Sequence, residues 1–234
     1  MSTQANLHLI RHSTLTLRFP FLLLLLIFPM QRAVADEIAI WNFNDSDLLV
    51  DHGAGNLDTN FNLVNVLFAA GTATNARQGD LGGQALSIQG GTGNANNGRN
   101  ITISVSTLSF SGISVSFATQ GSGTGFNSNQ FQYSLDGVTF VNFGSPYAPT
   151  ATFGAVPIVF DLSSISGLNN NPDAAFRIVF NGATSATGNN RIDNLVVQGT
   201  SSSTTVPEPA AMFLLGSGLT SLVALIRRRG TESK

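Results

Sequence analysis

Apolar and polar residues alternate along the middle of the chain, in short runs that turn-forming residues separate. The stretch 101–106 (ITISVS) alternates Ile and Val with Thr and Ser, and 113–117 (ISVSF) repeats the pattern. Side chains two positions apart point to the same side of a β-strand, so each stretch predicts one face on a core and one in water. We expect these side chains to face one core: Ile101, Ile103, Val105, Ile113, Val115 and Phe117. These should face away from it: Thr102, Ser104, Ser114 and Ser116.

The region 36–205 contains about ten short apolar runs and no window of eleven or more residues with a convincing helical period. Runs of this kind, bounded by Gly, Asn, Asp and Ser, predict an all-β domain. One-sided apolar faces on this many strands predict a two-layer antiparallel β-sandwich of eight to ten strands. The predicted strands are 38–43, 63–68, 85–89, 101–105, 113–118, 131–134, 138–143, 156–161, 175–180 and 191–198.

The clearest predicted hairpin spans 131–140 (FQYSLDGVTF), where Asp136-Gly137 supplies the positive φ that a tight turn needs. At least one ring of this hairpin should pack on the core; its rings are Phe131, Tyr133 and Phe140. A Ser/Thr linker at 201–205 ends the predicted domain, which therefore covers 36–200. Polar stretches rich in Gly and Asn are predicted loops: 90–100, 121–130 and 181–190.

The N-terminus has the three parts of a secretory signal peptide. A weakly basic region precedes the apolar run 19–28, and Ala33 and Ala35 form an A-x-A cleavage site. The apolar run is too short to cross a bilayer comfortably, which favours cleavage over the alternative of an uncleaved anchor. We predict that 1–35 is a signal peptide, removed by signal peptidase after export through the general secretion machinery.

Residues 210–226 form a second apolar segment without any charge. A helix of this length spans about 25 Å, which is the short end of what crosses a bilayer. Three arginines, Arg227, Arg228 and Arg229, follow directly, and a basic cluster at one end stays cytoplasmic. We predict a transmembrane helix with the preceding domain outside. The alternative, a buried core helix, fits poorly because the segment has no polar face.

The motif before this helix is Val206-Pro207-Glu208-Pro209. Together with the helix and the arginines it resembles the PEP-CTERM sorting signal of Gram-negative bacteria, here 206–230. The resemblance implies that exosortase is a partner and cleaves the chain near the Pro-Glu-Pro motif. It also implies anchoring at the inner membrane before cleavage and a place at the cell surface or in the extracellular matrix afterwards.

The composition of the predicted domain argues against several functions. It has no cysteine, so no disulfide stabilises it, and it has no lysine. Eleven acidic residues stand against four arginines, a net charge of about −7, which makes nucleic acid and anionic lipid poor partners. One histidine, His52, and one glutamate, Glu37, leave few groups for acid–base or nucleophilic catalysis. We therefore predict that the protein is not an enzyme.

The domain resembles jelly-roll sandwiches with the topology of carbohydrate-binding modules. The stretches that carry this likeness are 40–43 (IWNF), 133–137 (YSLDG), 176–178 (FRI) and 189–194 (NNRIDN). The resemblance implies that the first and last strands are neighbours.

Oxygen-bearing side chains stand at the end of the first predicted strand and within the last one. Calcium prefers several hard oxygen ligands. If the two strands are neighbours, Asn44, Asp45 and Asp193 are candidate ligands of a structural calcium, the one ion or cofactor that we predict. Asn42, Asp47 and Asn194 could add oxygens. The alternative is that these residues serve turns and caps.

Two further chemistries are open to the sequence. Asp45, Asp47 and Asp51 could pair as the carboxylates of a glycoside hydrolase, or could simply serve turns. Tyr133 and Tyr147 are candidate exposed rings for stacking on sugars, whereas Trp41 lies among apolar neighbours and is predicted to be core.

The preferred hypothesis from the sequence is an exported, non-enzymatic surface or matrix protein. Exosortase would process it, and it would associate with exopolysaccharide or biofilm. One alternative is a glycan-binding module that acts through its loops. The other is a glycoside hydrolase that uses the aspartate cluster.

Overall fold

A computed structural model describes residues 35–202 of the chain. In this region the chain forms twelve β-strands and three short 3-10 turns, at Leu63–Asn65, Thr92–Asn94 and Ser166–Leu168. No helix within 35–202 has the length and apolar character needed to cross a membrane. The predicted signal peptide up to Ala33, the sorting motif and the predicted transmembrane helix lie outside the described residues.

The strands follow the predicted pattern closely. All ten predicted stretches contain a strand, although 63–68 begins with a 3-10 turn and becomes a strand only at Val66. Two short strands were not predicted, so the count is twelve rather than eight to ten. The strands are β1 (Asp36–Trp41), β2 (His52–Gly53), β3 (Asn56–Thr59), β4 (Val66–Ala70), β5 (Gln84–Gln89), β6 (Arg99–Ser104), β7 (Phe110–Gly121), β8 (Ser128–Ser134), β9 (Phe140–Asn142), β10 (Ile158–Asp161), β11 (Ala175–Asn181) and β12 (Asn189–Ser201).

The strands form two antiparallel sheets, which confirms the predicted sandwich. One sheet has seven strands, in the order β10-β7-β12-β1-β2, with β5 and then β4 joined to the same side of β12 as β1. The other has five strands, in the order β3-β6-β11-β8-β9. The first and last strands pair directly, from Asp36 opposite Gly199 to Trp41 opposite Leu195, as the family resemblance implied.

The core lies between the two sheets and is rich in aromatic rings. Phe131 of the five-stranded sheet stacks on Phe160 of the seven-stranded sheet, with ring centroids 3.9 Å apart and planes 7° from parallel. Trp41 is fully buried, and its indole N–H donates to the carbonyl of Leu48 at 3.1 Å. The six side chains predicted to face the core, from Ile101 to Phe117, are all buried. Burial of each such side chain contributes about 1.5–3 kcal/mol.

The predicted hairpin joins β8 to β9, but its connection is longer than a two-residue turn. Ser134 pairs with Phe140, so five residues form the loop. Gly137 has the expected positive φ of +72°. The Asp136 carboxylate closes the loop by accepting hydrogen bonds from the backbone N–H groups of Val138 at 2.9 Å and Thr139 at 2.6 Å. These bonds hold the pKa of Asp136 well below its usual range.

Candidate functional site

The outer side of the seven-stranded sheet is covered by the segment 71–83, which connects β4 to β5. The Asn75 amide on this segment donates to the Ser116 hydroxyl at 3.1 Å and to the Asn194 carbonyl at 2.7 Å. Ser116 points away from the core, as predicted, but it is buried rather than in water. This side of the sandwich is therefore closed to a large ligand over the strands that the segment crosses.

Asp193 of the seven-stranded sheet bonds to the same segment. It lies in β12 where the strand bulges, next to Asn194, whose φ is +49°. The Asp193 carboxylate accepts the N–H of Thr72 at 2.6 Å and that of Asn194 at 2.9 Å. Burial raises the pKa of Asp193 to about 7, and the two hydrogen bonds only partly counter this rise. Keeping this carboxyl group charged in the folded protein therefore costs free energy.

The predicted calcium ligands are only partly brought together. The Asn44 side-chain oxygen accepts the N–H of Gln84 at 2.9 Å, and a Cβ on Gly83 would meet that oxygen at 1.7 Å. On the other side, a Cβ on Gly71 would meet the Asp193 carboxylate at 2.3 Å, and Gly71 bonds to Gly83. Asn44 and Asp193 therefore contact the same segment.

Asp45, the third predicted ligand, is exposed and forms no side-chain hydrogen bond with residues 35–202. Within this range no group of three or more His, Cys, Asp or Glu side chains is arranged to hold a metal ion. Any ion between Asn44 and Asp193 would therefore need amide, backbone or water oxygens for its remaining ligands.

The aspartates proposed for hydrolysis serve the local fold. Asp47 accepts the N–H of Leu49 at 2.8 Å, two residues along, as turn aspartates do. Asp51 accepts the N–H of Asn42 at 2.6 Å. Burial raises the pKa of Asp51, and Asp45 and Asp47 add to the rise. His52, in the short strand β2, pairs with Ile40.

Neither tyrosine proposed for sugar stacking is an open platform. Tyr147 is half-buried, and its ring packs against Phe117 and Phe160 with centroids 6.2 and 5.9 Å away. Burial raises the pKa of the Tyr147 hydroxyl. Tyr133 lies opposite Phe176 on the core side of the five-stranded sheet and packs edge-on against Phe143. Both rings are therefore half-buried rather than fully exposed, and their contact with sugars stays a prediction.

The outer side of the five-stranded sheet, which we call the open face, carries a line of polar side chains that crosses every strand. The pairing register places Asp58 opposite Thr102, Thr102 opposite Arg177, Arg177 opposite Gln132, and Gln132 opposite Asn142. We call these five residues the polar row. Since adjacent strands are about 4.8 Å apart, four spacings give the polar row a length of about 19 Å.

Side-chain contacts hold the polar row in shape. The Arg177 Nε–H donates to the Thr102 hydroxyl at 3.0 Å, and the Gln132 amide donates to Asn142 at 2.8 Å. The guanidinium carbon of Arg177 lies 3.5 Å from the centroid of the Phe140 ring, a cation–π contact. Phe140 is paired with Ser134, which is fully buried although it points outward.

Sequence reasoning did not find the polar row, although each strand shows a trace of it. Thr102 stands between two isoleucines, Arg177 between Phe and Ile, and Gln132 between Phe and Tyr. The alternation predicts that each points outward. It does not predict that they line up, because the line depends on the register of four strand pairs.

A cleft of about 670 Å³ opens at one end of the sandwich. Ile38, Val105 and Phe110 form apolar walls, and Asp136 and Asp173 stand at its rim. Strand β12 ends here, since its Ser201 pairs with Phe110 of the cleft wall, and Ile38 of that wall belongs to β1. The Asp136 carboxylate accepts hydrogen bonds from its own loop, so Asp173 is the one carboxylate of the cleft without a hydrogen bond among the described residues.

Comparisons with known proteins identify the tail and describe the shape of the domain. Residues 205–229 match the family described as the PEP-CTERM protein-sorting motif, which confirms the resemblance predicted from the sequence. The motif implies an exported protein that exosortase processes. No curated protein matches the sequence.

Several solved structures are similar to the sandwich in shape. Domain 4 of AbnA, a GH43 extracellular arabinanase from Geobacillus stearothermophilus, in complex with arabinotriose, shares 15% identity over 71% of this chain and 94% of that chain, with a TM-score of 0.42. The CBM22-1 xylan-binding domain of Xyn10C from Paenibacillus barcinonensis shares 11% identity over 73% of this chain and 98% of that chain, with a TM-score of 0.41. TmCBM61, in complex with beta-1,4-galactotriose, shares 13% identity over 67% of this chain and 92% of that chain, with a TM-score of 0.39. This chain is an antiparallel β-sandwich followed by a PEP-CTERM protein-sorting motif.

Proposed function

We propose that this chain is an exported, non-enzymatic surface or extracellular-matrix protein whose sandwich binds polysaccharide along the open face. The polar row is the observation that carries the proposal. It presents a carboxylate, a hydroxyl, a guanidinium and two amides in one line across five strands. A ligand that repeats hydroxyl groups along an extended chain would meet a donor or acceptor at each strand.

The open face suits a polysaccharide better than the loops that the sequence suggested. In the loop before β6 the Asn97 amide bonds to the protein itself: it both donates to and accepts from the backbone of Ala183, at 3.0 and 2.9 Å. Asn190 is likewise bonded twice to the backbone of Phe126. In the polar row the oxygen of Gln132 and the N–H₂ of Asn142 have no partner within residues 35–202. These groups are available to a ligand.

A hydrolase is less well supported. Asp47 and Asp51 already accept backbone N–H groups that shape the segment after β1. A general acid needs a carboxyl group that reaches the substrate, and these two face their own backbone. The binding proposal therefore treats the protein as non-catalytic.

The test is polysaccharide binding by the purified full chain in detergent, measured by affinity electrophoresis against a panel of plant and bacterial polysaccharides. The double variant Gln132→Ala with Asn142→Ala removes two members of the polar row. We expect about tenfold weaker binding, since two lost hydrogen bonds together cost about 1–3 kcal/mol.

Two control variants locate the site. Gln198→Ala changes an amide on the outer side of the seven-stranded sheet, and Asp173→Ala changes the cleft; both should bind like the wild type. Loss of binding in Asp173→Ala with none in the double variant would move the site to the cleft. A wild type that binds no polysaccharide in the panel would overturn the proposal.

The tail supports the remaining part of the proposal, which concerns partners and location. With exosortase as partner, the chain would be held at the inner membrane through 210–226 and released to the surface or matrix after cleavage near Pro207-Glu208-Pro209. There, association with exopolysaccharide would follow from the open face.

We also propose a structural calcium between Asn44 and Asp193. The support is the buried Asp193 carboxylate, whose charge has no cationic side chain within hydrogen-bond distance among the described residues, and the shared contact of both residues with segment 71–83. An ion there would join β1, β12 and this segment, and it would offset the cost of burying the carboxylate.

A further inference from the structure

Arg177 is the one cation of the polar row, and it is held in a fixed position from two sides. Its Nε–H donates to the Thr102 hydroxyl at 3.0 Å, on the neighbouring strand β6. On the opposite side its guanidinium carbon lies 3.5 Å from the centroid of the Phe140 ring. A side chain fixed in this way loses little entropy when it binds a further group.

Among the four arginines of the described region, Arg177 is the one that bonds to neither a carboxylate nor a backbone carbonyl. Arg77 pairs with Glu37 at 2.8 Å, Arg191 donates to the Ala70 carbonyl at 3.0 Å, and Arg99 donates to the Asn60 carbonyl. The two terminal nitrogens of Arg177 have no acceptor within residues 35–202. Arg177 is also half-buried, and this burial lowers its pKa because the charged form loses water.

We infer that Arg177 recognises a carboxylate on the ligand, so that the open face selects an acidic polysaccharide, one that contains uronate residues. The inference deepens the proposed function and rests on it. A guanidinium with its Nε occupied still presents N–H donors at its far edge, in a fork that matches the two oxygens of a carboxylate. A neutral sugar would supply hydroxyl acceptors but would leave the half-buried charge uncompensated.

The charge around Arg177 limits where an acidic chain can bind. The domain carries eleven acidic residues and four arginines, so most of its surface repels a polyanion. In the polar row Asp58 lies two strands away from Arg177, at the β3 end. A uronate chain would therefore place one carboxylate at Arg177 and neutral hydroxyls toward Asp58, which fixes its register on the sheet.

The test compares two ligands that differ only in charge. Isothermal titration of the full chain in detergent uses oligosaccharides that carry one galacturonate among neutral sugars, and the same oligosaccharides with that carboxyl group methyl-esterified. The wild type should bind the free acid about tenfold more tightly than the ester, because hydrogen bonds between charged groups contribute about 1.5–3 kcal/mol. This preference should shrink as salt rises, since the pair is only half-buried.

Variants then assign the preference to Arg177. Arg177→Gln should bind acid and ester alike, and Arg177→Lys, which keeps the charge without the fork, should recover only part of the preference. Arg77→Gln, on segment 71–83 outside the seven-stranded sheet, removes an arginine from the same protein and should keep the full preference. Melting temperatures of all variants check that each one folds.

Each outcome separates the inference from the function on which it rests. If the wild type binds acid and ester equally, or if Arg177→Gln keeps the preference, the inference is overturned while polysaccharide binding at the open face stands. If binding to neutral polysaccharides also fails, the proposed function is overturned with it. If Arg77→Gln abolishes the preference for the acid, the ligand carboxylate binds on the side of the seven-stranded sheet, and the inference is overturned.

Discussion

Replacing Asp193 by alanine should destabilise the domain by removing the acceptor that fixes segment 71–83 to β12. The N–H groups of Thr72 and Asn194 would both lose their partner, and each unpaired donor costs about 1–3 kcal/mol. Alanine also removes a buried carboxylate, which offsets part of this loss. We expect a net loss of about 2 kcal/mol, or about 4–8 °C in melting temperature for a domain of this size.

Thermal unfolding followed by circular dichroism measures this loss. Asp173→Ala is the matched control, because Asp173 is exposed and its carboxylate makes no hydrogen bond within the described residues. Surface changes of this kind usually stay within about 0.5 kcal/mol. If Asp193→Ala melts like Asp173→Ala, the carboxylate does not hold the segment and the account of this side of the sandwich is wrong.

The pH dependence of the same site has a defined sign. The pKa of Asp193 is raised to about 7 in the folded protein, whereas an aspartate in an unfolded chain has a pKa of about 3.9. Its contribution to stability is therefore complete below the unfolded pKa and is lost as the pH rises through about 7. Without calcium, the wild type should lose stability between pH 5 and pH 8, and Asp193→Asn, which does not titrate, should lose less.

Calcium should reverse this loss if the proposed ion binds. A ligand that binds only the folded state stabilises it, and the charged carboxylate at pH 8 binds calcium better than the protonated one at pH 5. The melting temperature should then rise with calcium mainly at pH 8, and Asp193→Asn should lose most of that rise. Identical melting curves with calcium and with a chelator, at both pH values, would remove the calcium proposal.

Two further predictions concern the core and the tail. Phe131→Ala should destabilise the domain by about 3–5 kcal/mol, because it removes the ring that stacks on Phe160. Val159→Ala, on the exposed side of β10, should change the free energy of unfolding in urea little. Similar losses for both variants would contradict the packing described. Replacing Pro207-Glu208-Pro209 by alanines in a host with exosortase should stop processing and retain the chain in the membrane fraction; unchanged mature size on a gel would refute the sorting assignment.

The sandwich could be predicted because its signal is local. The alternation at 101–106 fixes which side of β6 faces the core, and a slip of one residue would expose every apolar side chain at once. The strands β2 and β3 escaped prediction for the opposite reason. His52-Gly53 and 56–59 carry no apolar run. They form strands only because the first pairs with β1 at Ile40 and the second pairs with β6 at Ile103.

The candidate site could not be predicted, because it depends on contacts between distant parts of the chain. Asp193 follows the core residue Ile192, so the alternation predicts that Asp193 is exposed. In the structure it is covered by segment 71–83, which lies more than a hundred residues earlier in the chain. Arg177 lies near Thr102 and Phe140 only through the register of β11 with β6 and β8, and of β8 with β9. The exposure of the two tyrosines likewise depends on distant rings, since Tyr147 packs against Phe117 and Phe160 and Tyr133 against Phe143.

The position of the open face agrees with the sorting that the tail implies. Asp36 pairs with Gly199, so the chain enters and leaves the domain at one end of the sandwich, where the cleft lies. Four residues separate Ser202 from Pro207, and the five steps between these two Cα atoms reach at most about 18 Å, so an anchored tail would keep this end near the membrane. The polar row instead runs across the flank of the sandwich, perpendicular to the strands. A polysaccharide lying along it avoids the anchored end, so binding at the open face is compatible with both the membrane-held chain and the released one.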